Sequence, residues 1–326
     1  MRSRQAPTGP SPFRVKAPPL PPGKFADPDR TASGEPRAKV SLLRLETLWF
    51  NTGTLCNLAC ANCYIESSPT NDALAYLAAR DVARFLDQIE ELDLPVREIG
   101  FTGGEPFMNP EFLPMLADAL ARGHEALVLT NAMQPMRRQE EALLALRRQY
   151  GSRLTLRVSL DHHLKSVHEA ERGPRSWDKA LDGLRWLSDR GFSLAVAGRH
   201  LEGESDAEAR QGYAGLFARA GIALDARDPA QLVLFPEMDA RADVAEITTA
   251  CWSILGQSPA DVMCATSRMV VHRRGEPYPR VVACTLLPYE SGFDLGANLA
   301  EASRPVALNH PHCARFCVLG GASCSA

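Results

Sequence analysis

The chain has 326 residues, 45% of them hydrophobic and 23% charged, with a formal charge of −3. Those proportions suit a folded protein with one large domain, or one plus a small one, and the slight negative charge argues against a nucleic-acid partner. No apolar run approaches the ~18 residues of a membrane span, and the N-terminus lacks the apolar core of a secretory signal, so the expectation is a cytoplasmic protein without a membrane partner.

Residues 1–40 hold nine of the 24 prolines and eight Lys or Arg against three Asp or Glu, with no hydrophobic periodicity. That composition predicts a disordered basic tail, with a docking arm as the functional alternative. From 44 onward strand and helix patterns alternate. RLETLWFNTG (44–53) reads as a strand and LAARDVARFLDQIEEL (77–92) as a helix. VREIGFTGG (96–104) is a strand ending in glycines. The helix PEFLPMLADALARG (110–123) follows, with Pro near its start and Gly after its end. Strand EALVLTN (125–131) precedes helix RRQEEALLALRRQYG (137–151), and strand RLTLRVSLD (153–161) precedes helix SWDKALDGLRWLSDRG (176–191), with Ser176 as its expected cap. FSLAVAGRH (192–200), SDAEARQGYAGLFARAG (205–221) and QLVLFPE (231–237) bring the count to six strands and five helices.

Strict alternation implies an α/β fold of parallel strands joined by helices, with its chemistry at the C-terminal strand ends. The unusual polar groups fall there: Cys56, then Gly103-Gly104-Glu105, then Asn131, then Ser159 and Asp161, then Arg199 and His200. After about 245 the alternation fails. CATSRMVVHRRGEPYPRVVAC (264–284) reads as a β-hairpin around Gly275 with a cysteine at each end, and HPHCARFCVLGGASC (310–324) as a loop-rich tail. The expected division is a tail at 1–40, a barrel at 41–244 and a small cysteine-rich, metal-bound domain at 245–326.

The chain has nine cysteines, and without an export signal clustered thiols point to metal rather than disulfides. Cys56, Cys60 and Cys63 form a Cys-x3-Cys-x2-Cys loop. Thiolates bind zinc or iron–sulfur clusters. Three thiolates leave one iron of a cubane [4Fe–4S] cluster without a protein ligand, free to take a small molecule through an amino and a carboxylate group. A three-cysteine zinc site is the alternative, but it accounts for neither GGEP nor the strand-end pattern.

The three-cysteine loop after the first strand, Gly103–Pro106 after the second, and VSLD followed by HEAERG together resemble the radical SAM enzymes over about 44–240. The resemblance implies a partial (β/α)6 TIM-type barrel, with Cys56, Cys60 and Cys63 on a [4Fe–4S] cluster that binds S-adenosylmethionine (SAM). It implies that Gly103, Gly104 and Glu105 hold the methionyl ammonium, and that Asn131 and Ser159 contact the ribose or carboxylate. Arg172 or Arg199 would pair with the carboxylate. The residue before the third cysteine is aromatic in the family and is Asn62 here, so Tyr64 is the expected adenine cover instead. Cys264, Cys284, FDLGANLAEA (293–302), Cys313, Cys317 and Cys324 resemble a SPASM or twitch auxiliary-cluster domain. This implies a second [4Fe–4S] cluster on Cys264, Cys284, Cys313 and Cys317, with Cys324 as substitute; a structural zinc is the rival, because both metals accept four sulfurs. Cys251 reads as a packed thiol, His310 and His312 as neighbours of the metal or surface residues rather than ligands, and His162, His163 and His168 as solvated loop histidines, with reach to a substrate as the alternative. The implied activity is reductive cleavage of SAM to a 5′-deoxyadenosyl radical that takes hydrogen from a peptide or small molecule, with a flavodoxin- or ferredoxin-like electron donor. No winged-helix pattern precedes the barrel, which argues against leader-peptide recognition. A non-catalytic iron–sulfur sensor or electron carrier is the contrasting reading.

Overall fold

The computed structural model describes residue 7 and residues 9–324. Its strands in chain order are β1 (Lys39–Val40), β2 (Thr47–Asn51), β3 (Glu98–Thr102), β4 (Glu125–Thr130), β5 (Leu154–Ser159), β6 (Ser193–Arg199), β7 (Leu232–Phe235), β8 (Ser267–Val271), β9 (Arg280–Val282), β10 (Asp294–Gly296) and β11 (Val306–Ala307). The helices are α1 (Ala79–Glu91), α2 (Phe112–Ala121), α3 (Gln134–Arg137), α4 (Glu140–Tyr150), α5 (Lys165–Arg172), α6 (Ser176–Asp189), α7 (Asp206–Ala220) and α8 (Cys251–Leu255). Among the described residues, no helix is long and apolar enough to cross a membrane.

Strands β2 to β7 pair in sequence order, every pair parallel. Helices cover the sheet, so the strands are buried on both faces and their sequences are near-continuous apolar runs rather than alternations; all five residues of β2 are buried. Helix α1 meets the sheet through Val82, Phe85, Leu86 and Ile89, one stripe at helical spacing. Helix α7 opens with a capping box between Ser205 and Glu208. Ser176 is the first residue of α6 rather than its cap; Arg175 holds the cap position in the left-handed region, at φ 64°.

Strand β8 pairs parallel with β2, from Thr47 opposite Ser267 to Phe50 opposite Val270. The β8–β9 hairpin and β10 then extend the sheet beyond its first strand, in the order β10-β9-β8-β2-β3-β4-β5-β6-β7. The cysteine-rich segment is therefore continuous with the barrel sheet. The end strands β10 and β7 do not pair, so the barrel is open.

The described part of the N-terminal segment corrects the expectation of a disordered tail. Phe13 is 1% and Phe25 6% exposed. Leu20 donates to the Arg241 carbonyl and Asp243 to the Pro18 carbonyl, both at 2.7 Å. Arg37 is buried and its Nη2 meets Glu246 Oε1 at 2.6 Å; Glu246 also accepts from the backbone of Phe25 at 2.6 Å and of Ala32 at 2.7 Å. Proline-rich chain has no helical or strand period, yet it can lie extended along a surface and bury isolated anchors. Replacing Glu246 by Ala would leave the buried Arg37 charge without its carboxylate and take the acceptor from two backbone donors. The expected loss is about 3–5 kcal/mol, read as a lower urea midpoint, with Glu246→Gln losing less.

Candidate functional site

The site is built on the loop that leaves β2. The glycines after β3 lie directly against it: Gly104 donates to the Gly53 carbonyl at 2.8 Å and Glu105 to the Leu55 carbonyl at 3.2 Å. A Cβ on Gly104 would stand 2.3 Å from the Leu55 carbonyl oxygen, and Gly103 sits at φ 137°, a conformation that side chains strain. The glycines thus let the β3 end press onto the residues immediately before Cys56.

Cys56, Cys60 and Cys63 line one cavity of about 100 Å³ at the C-terminal ends of the strands. Gly103, Gly104, Asn131, Ser159, Tyr64, Arg172 and Arg199 line the same cavity, so seven of the expected cofactor contacts converge there. Glu105 does not line it. Its carboxylate turns into the wall, accepting from Thr130 Oγ1 and the Asn131 backbone at 2.8 Å each and from the Phe107 backbone at 3.4 Å. Burial pushes this carboxyl up to about 7, against those three donors. Its side chain ties the glycine turn to the end of β4. Asn131 is braced too, giving Nδ2 to Asn57 Oδ1 at 2.8 Å and so holding the cysteine loop. Asn62 lies away from this cavity, bonded to Glu237, which leaves Tyr64 as the aromatic wall.

The thiols suit a soft metal. All nine cysteines are free of disulfides. Backbone N–H groups of Leu58 and Ser67 point at the sulfurs of Cys56 and Cys63, at 3.4 and 3.3 Å. Burial pushes the Cys56 thiol far up and the Cys60 thiol up to about 12, so a cation among them is what would draw out the thiolates.

Behind the cavity lies a buried ion network that the sequence reading only touched. Asp161 accepts from Arg172 at 2.5 and 3.1 Å and meets Arg199 at 3.4 Å. Burial would raise the Asp161 carboxyl, but the two guanidiniums hold it well below the usual carboxylate range. Arg199 also faces Glu171 at 3.7 Å and Glu237 at 3.5 Å. Glu171 accepts from the Asn62 backbone at 2.9 Å, and its own carbonyl accepts from Ala61 at 2.8 Å. Glu171 stands inside HEAERG, yet nothing in the sequence pairs it with residues more than 100 positions away. His162, His163 and His168 do not line the cavity. His162 and His163 stack at 4.2 Å beside Glu204. The Leu164 N–H donates to His162 Nδ1, which places the proton on the Nε2 that faces Glu204 and leaves no ring lone pair for a metal.

A second cavity is lined by Cys264, Cys284, Cys313, Cys317 and His312 among apolar side chains. Cys313 and Cys317 face together because their segment, Cys313–Val318, is helical rather than an irregular loop. His312 is 9% exposed, and its Nδ1 has no protein partner. Cys324 does not line this cavity. Its sulfur accepts from Thr285 Oγ1 at 3.2 Å, and it lines a cavity of about 60 Å³ with Tyr64, Leu129, Arg199 and Glu237. Cys251 lines neither cysteine cavity; the Thr248 N–H meets its sulfur at 3.3 Å.

The radical SAM superfamily model matches residues 50–211. The chain carries a radical SAM domain. It is 32% identical over 143 residues to the antilisterial bacteriocin subtilosin biosynthesis protein AlbA of Bacillus subtilis, covering 44% of this chain and 30% of that protein. It is 31% identical over 155 residues to the mycofactocin maturase MftC of Mycobacterium ulcerans, covering 46% and 40%. The matches thus span less than half the length of either relative. The structure of Streptococcus suis SuiB bound to S-adenosylmethionine shares the fold, with a TM-score of 0.56 over 78% of this chain and 64% of that one, at 14% identity. A radical SAM domain works with a [4Fe–4S] cluster and SAM, and the cavity described above is of a kind that fits them.

The contact between the glycine turn and the cysteine loop has a measurable consequence. Gly104→Ala drives a methyl group onto the Leu55 carbonyl, so the variant is expected to lose the iron of the first cluster and not only SAM affinity. Iron analysis after anaerobic reconstitution reads this directly; full iron with weak SAM binding would contradict it.

Proposed function

We propose that this protein is a radical SAM enzyme that modifies a peptide. The observation that carries the reading is the one cavity at the strand ends lined by the three thiols, the glycine turn, Asn131, Ser159 and two arginines. In this reading Cys56, Cys60 and Cys63 hold the cluster. Carbonyls at the glycine turn take the methionyl ammonium of SAM, and Arg172 or Arg199 takes its carboxylate. Asn131 and Ser159 face the ribose, and Tyr64 covers the adenine. When bound, the cluster and SAM supply a one-electron cleavage to methionine and a 5′-deoxyadenosyl radical, which abstracts hydrogen from the substrate. The protein's part is to orient and to exclude water. Glu105 fixes the turn from behind, and the Asp161–Arg172–Arg199 network holds the cationic wall.

The same walls open towards the second cysteine group. Tyr64, Leu129 and Arg199 line both the first cavity and the small one that reaches Leu286, and Leu286 also lines the second cysteine cavity, which supports a substrate position between two metal sites. In this reading Cys264, Cys284, Cys313 and Cys317 hold a second [4Fe–4S] cluster. A groove of about 590 Å³ runs from Cys60 and Cys63 past Met238 and Arg241 to His312. Its size and exposure suit a chain segment better than a buried small molecule, and the bacteriocin and maturase relatives support the same class. A flavodoxin- or ferredoxin-like protein is the proposed electron donor.

Reconstituted protein reduced with dithionite is expected to convert SAM to methionine and 5′-deoxyadenosine, even without peptide, and Cys56→Ala is expected to abolish this. Cluster-loaded protein that forms no 5′-deoxyadenosine would favour the sensor or electron-carrier reading.

A further inference from the structure

One buried charge beside the second cysteine group lacks a counter-ion. Arg268, on β8, is 0% exposed. Its guanidinium donates only to backbone carbonyls: Cys264 at 2.5 Å, Ser267 at 2.7 Å, Ala302 at 2.9 Å and Arg304 at 3.4 Å. Carbonyls satisfy its N–H groups but do not cancel its charge. Among the described residues no carboxylate forms an ion pair with it, whereas the buried Arg37 has Glu246 at 2.6 Å. A buried ion without a partner costs several kcal/mol, so a folded chain that keeps this one implies an anion nearby. Cys264, one of the four cysteines that line the second cavity, receives the guanidinium on its own carbonyl at 2.5 Å.

We propose that Arg268 is the built-in counter-charge of the cluster held by Cys264, Cys284, Cys313 and Cys317, and that it makes this cluster easier to reduce. The proposal rests on the second cluster of the preceding section. A core ringed by four thiolates is net anionic and becomes more so with each electron taken up, so a fixed cation stabilises the reduced form and raises the potential. The carbonyls of Cys264, Ser267, Ala302 and Arg304 hold the guanidinium in place, so the charge cannot swing away. Cys264 itself links the two, as both a ligand and the residue whose carbonyl receives Arg268. The device suits a site that takes up an electron more than one that gives it. Arg268 acts through the cluster and is a positioning residue, not a catalytic one.

The test is a spectroscopic redox titration of the full chain carrying Cys56, Cys60 and Cys63→Ala, which leaves only the second site. With Arg268 present, about four irons per chain are expected; none would overturn the second cluster itself rather than the role of Arg268. In that background R268K should load iron and keep a potential close to that with Arg268. R268M should either load with its potential moved to more negative values, or stay folded by circular dichroism yet fail to load. R268M loaded at an unchanged potential would overturn the proposal. So would R268K and R268M shifting alike or failing alike.

Discussion

The site depends on two backbone hydrogen bonds, from Gly104 to Gly53 and from Glu105 to Leu55. They pin the end of β3 against the loop that leaves β2, one residue before Cys56. The parallel pairing of the two strands brings their ends to one rim, but pairing alone does not fix what happens beyond the strands. The absence of side chains at 103 and 104 does. From that contact follow the direction of the cysteine loop and the position of the wall opposite it. Glu105 extends the constraint by one strand, because its carboxyl reaches Thr130 and Asn131 at the end of β4. Glu105, through its backbone and its buried side chain together, therefore registers three strand ends.

Charge supplies the second layer of organisation. The interior near the rim holds Asp161, Arg172, Arg199, Glu171 and Glu237, all at least partly buried. Such groups are costly to bury and stabilise a fold only when each has its partner. Here the partners come from four elements: α5, the turn after β5, the end of β6 and the turn after β7. Arg268 differs from these groups, since among the described residues its surroundings offer it backbone carbonyls and no ion pair. The two cysteine groups and the two sets of cations have the same logic. In the proposed reading, each places positive charge beside thiolates and the anionic core they would hold.

The barrel could be read from the sequence because period and punctuation agree. All six strand patterns and all five helix patterns correspond to elements, with ends displaced by a few residues. The three-cysteine loop and the glycine turn could be read because their chemistry is unusual and local. The rest could not, for physical reasons. The N-terminal segment buries single anchors such as Phe13 and Arg37 at irregular intervals, so its proline-rich composition resembles that of a disordered chain. The joining of β8 to β2 is a pairing across more than 200 residues, and nothing local encodes it. Glu105 carries a motif identity, but its carboxyl faces the wall, which only coordinates reveal. Cys324 looks equivalent to its neighbours in sequence, yet its sulfur is engaged by Thr285 and it lines a different cavity from Cys313 and Cys317.

We propose that one chain holds two iron–sulfur clusters, one on each group of cysteines. Iron and sulfide counted per chain after anaerobic reconstitution, in the wild type and in a Cys56/Cys60/Cys63→Ala variant, test it most directly. With four irons per cubane, the account predicts about eight falling to about four. About four falling to near zero would contradict it and leave the second cysteine group as free thiols or a zinc site.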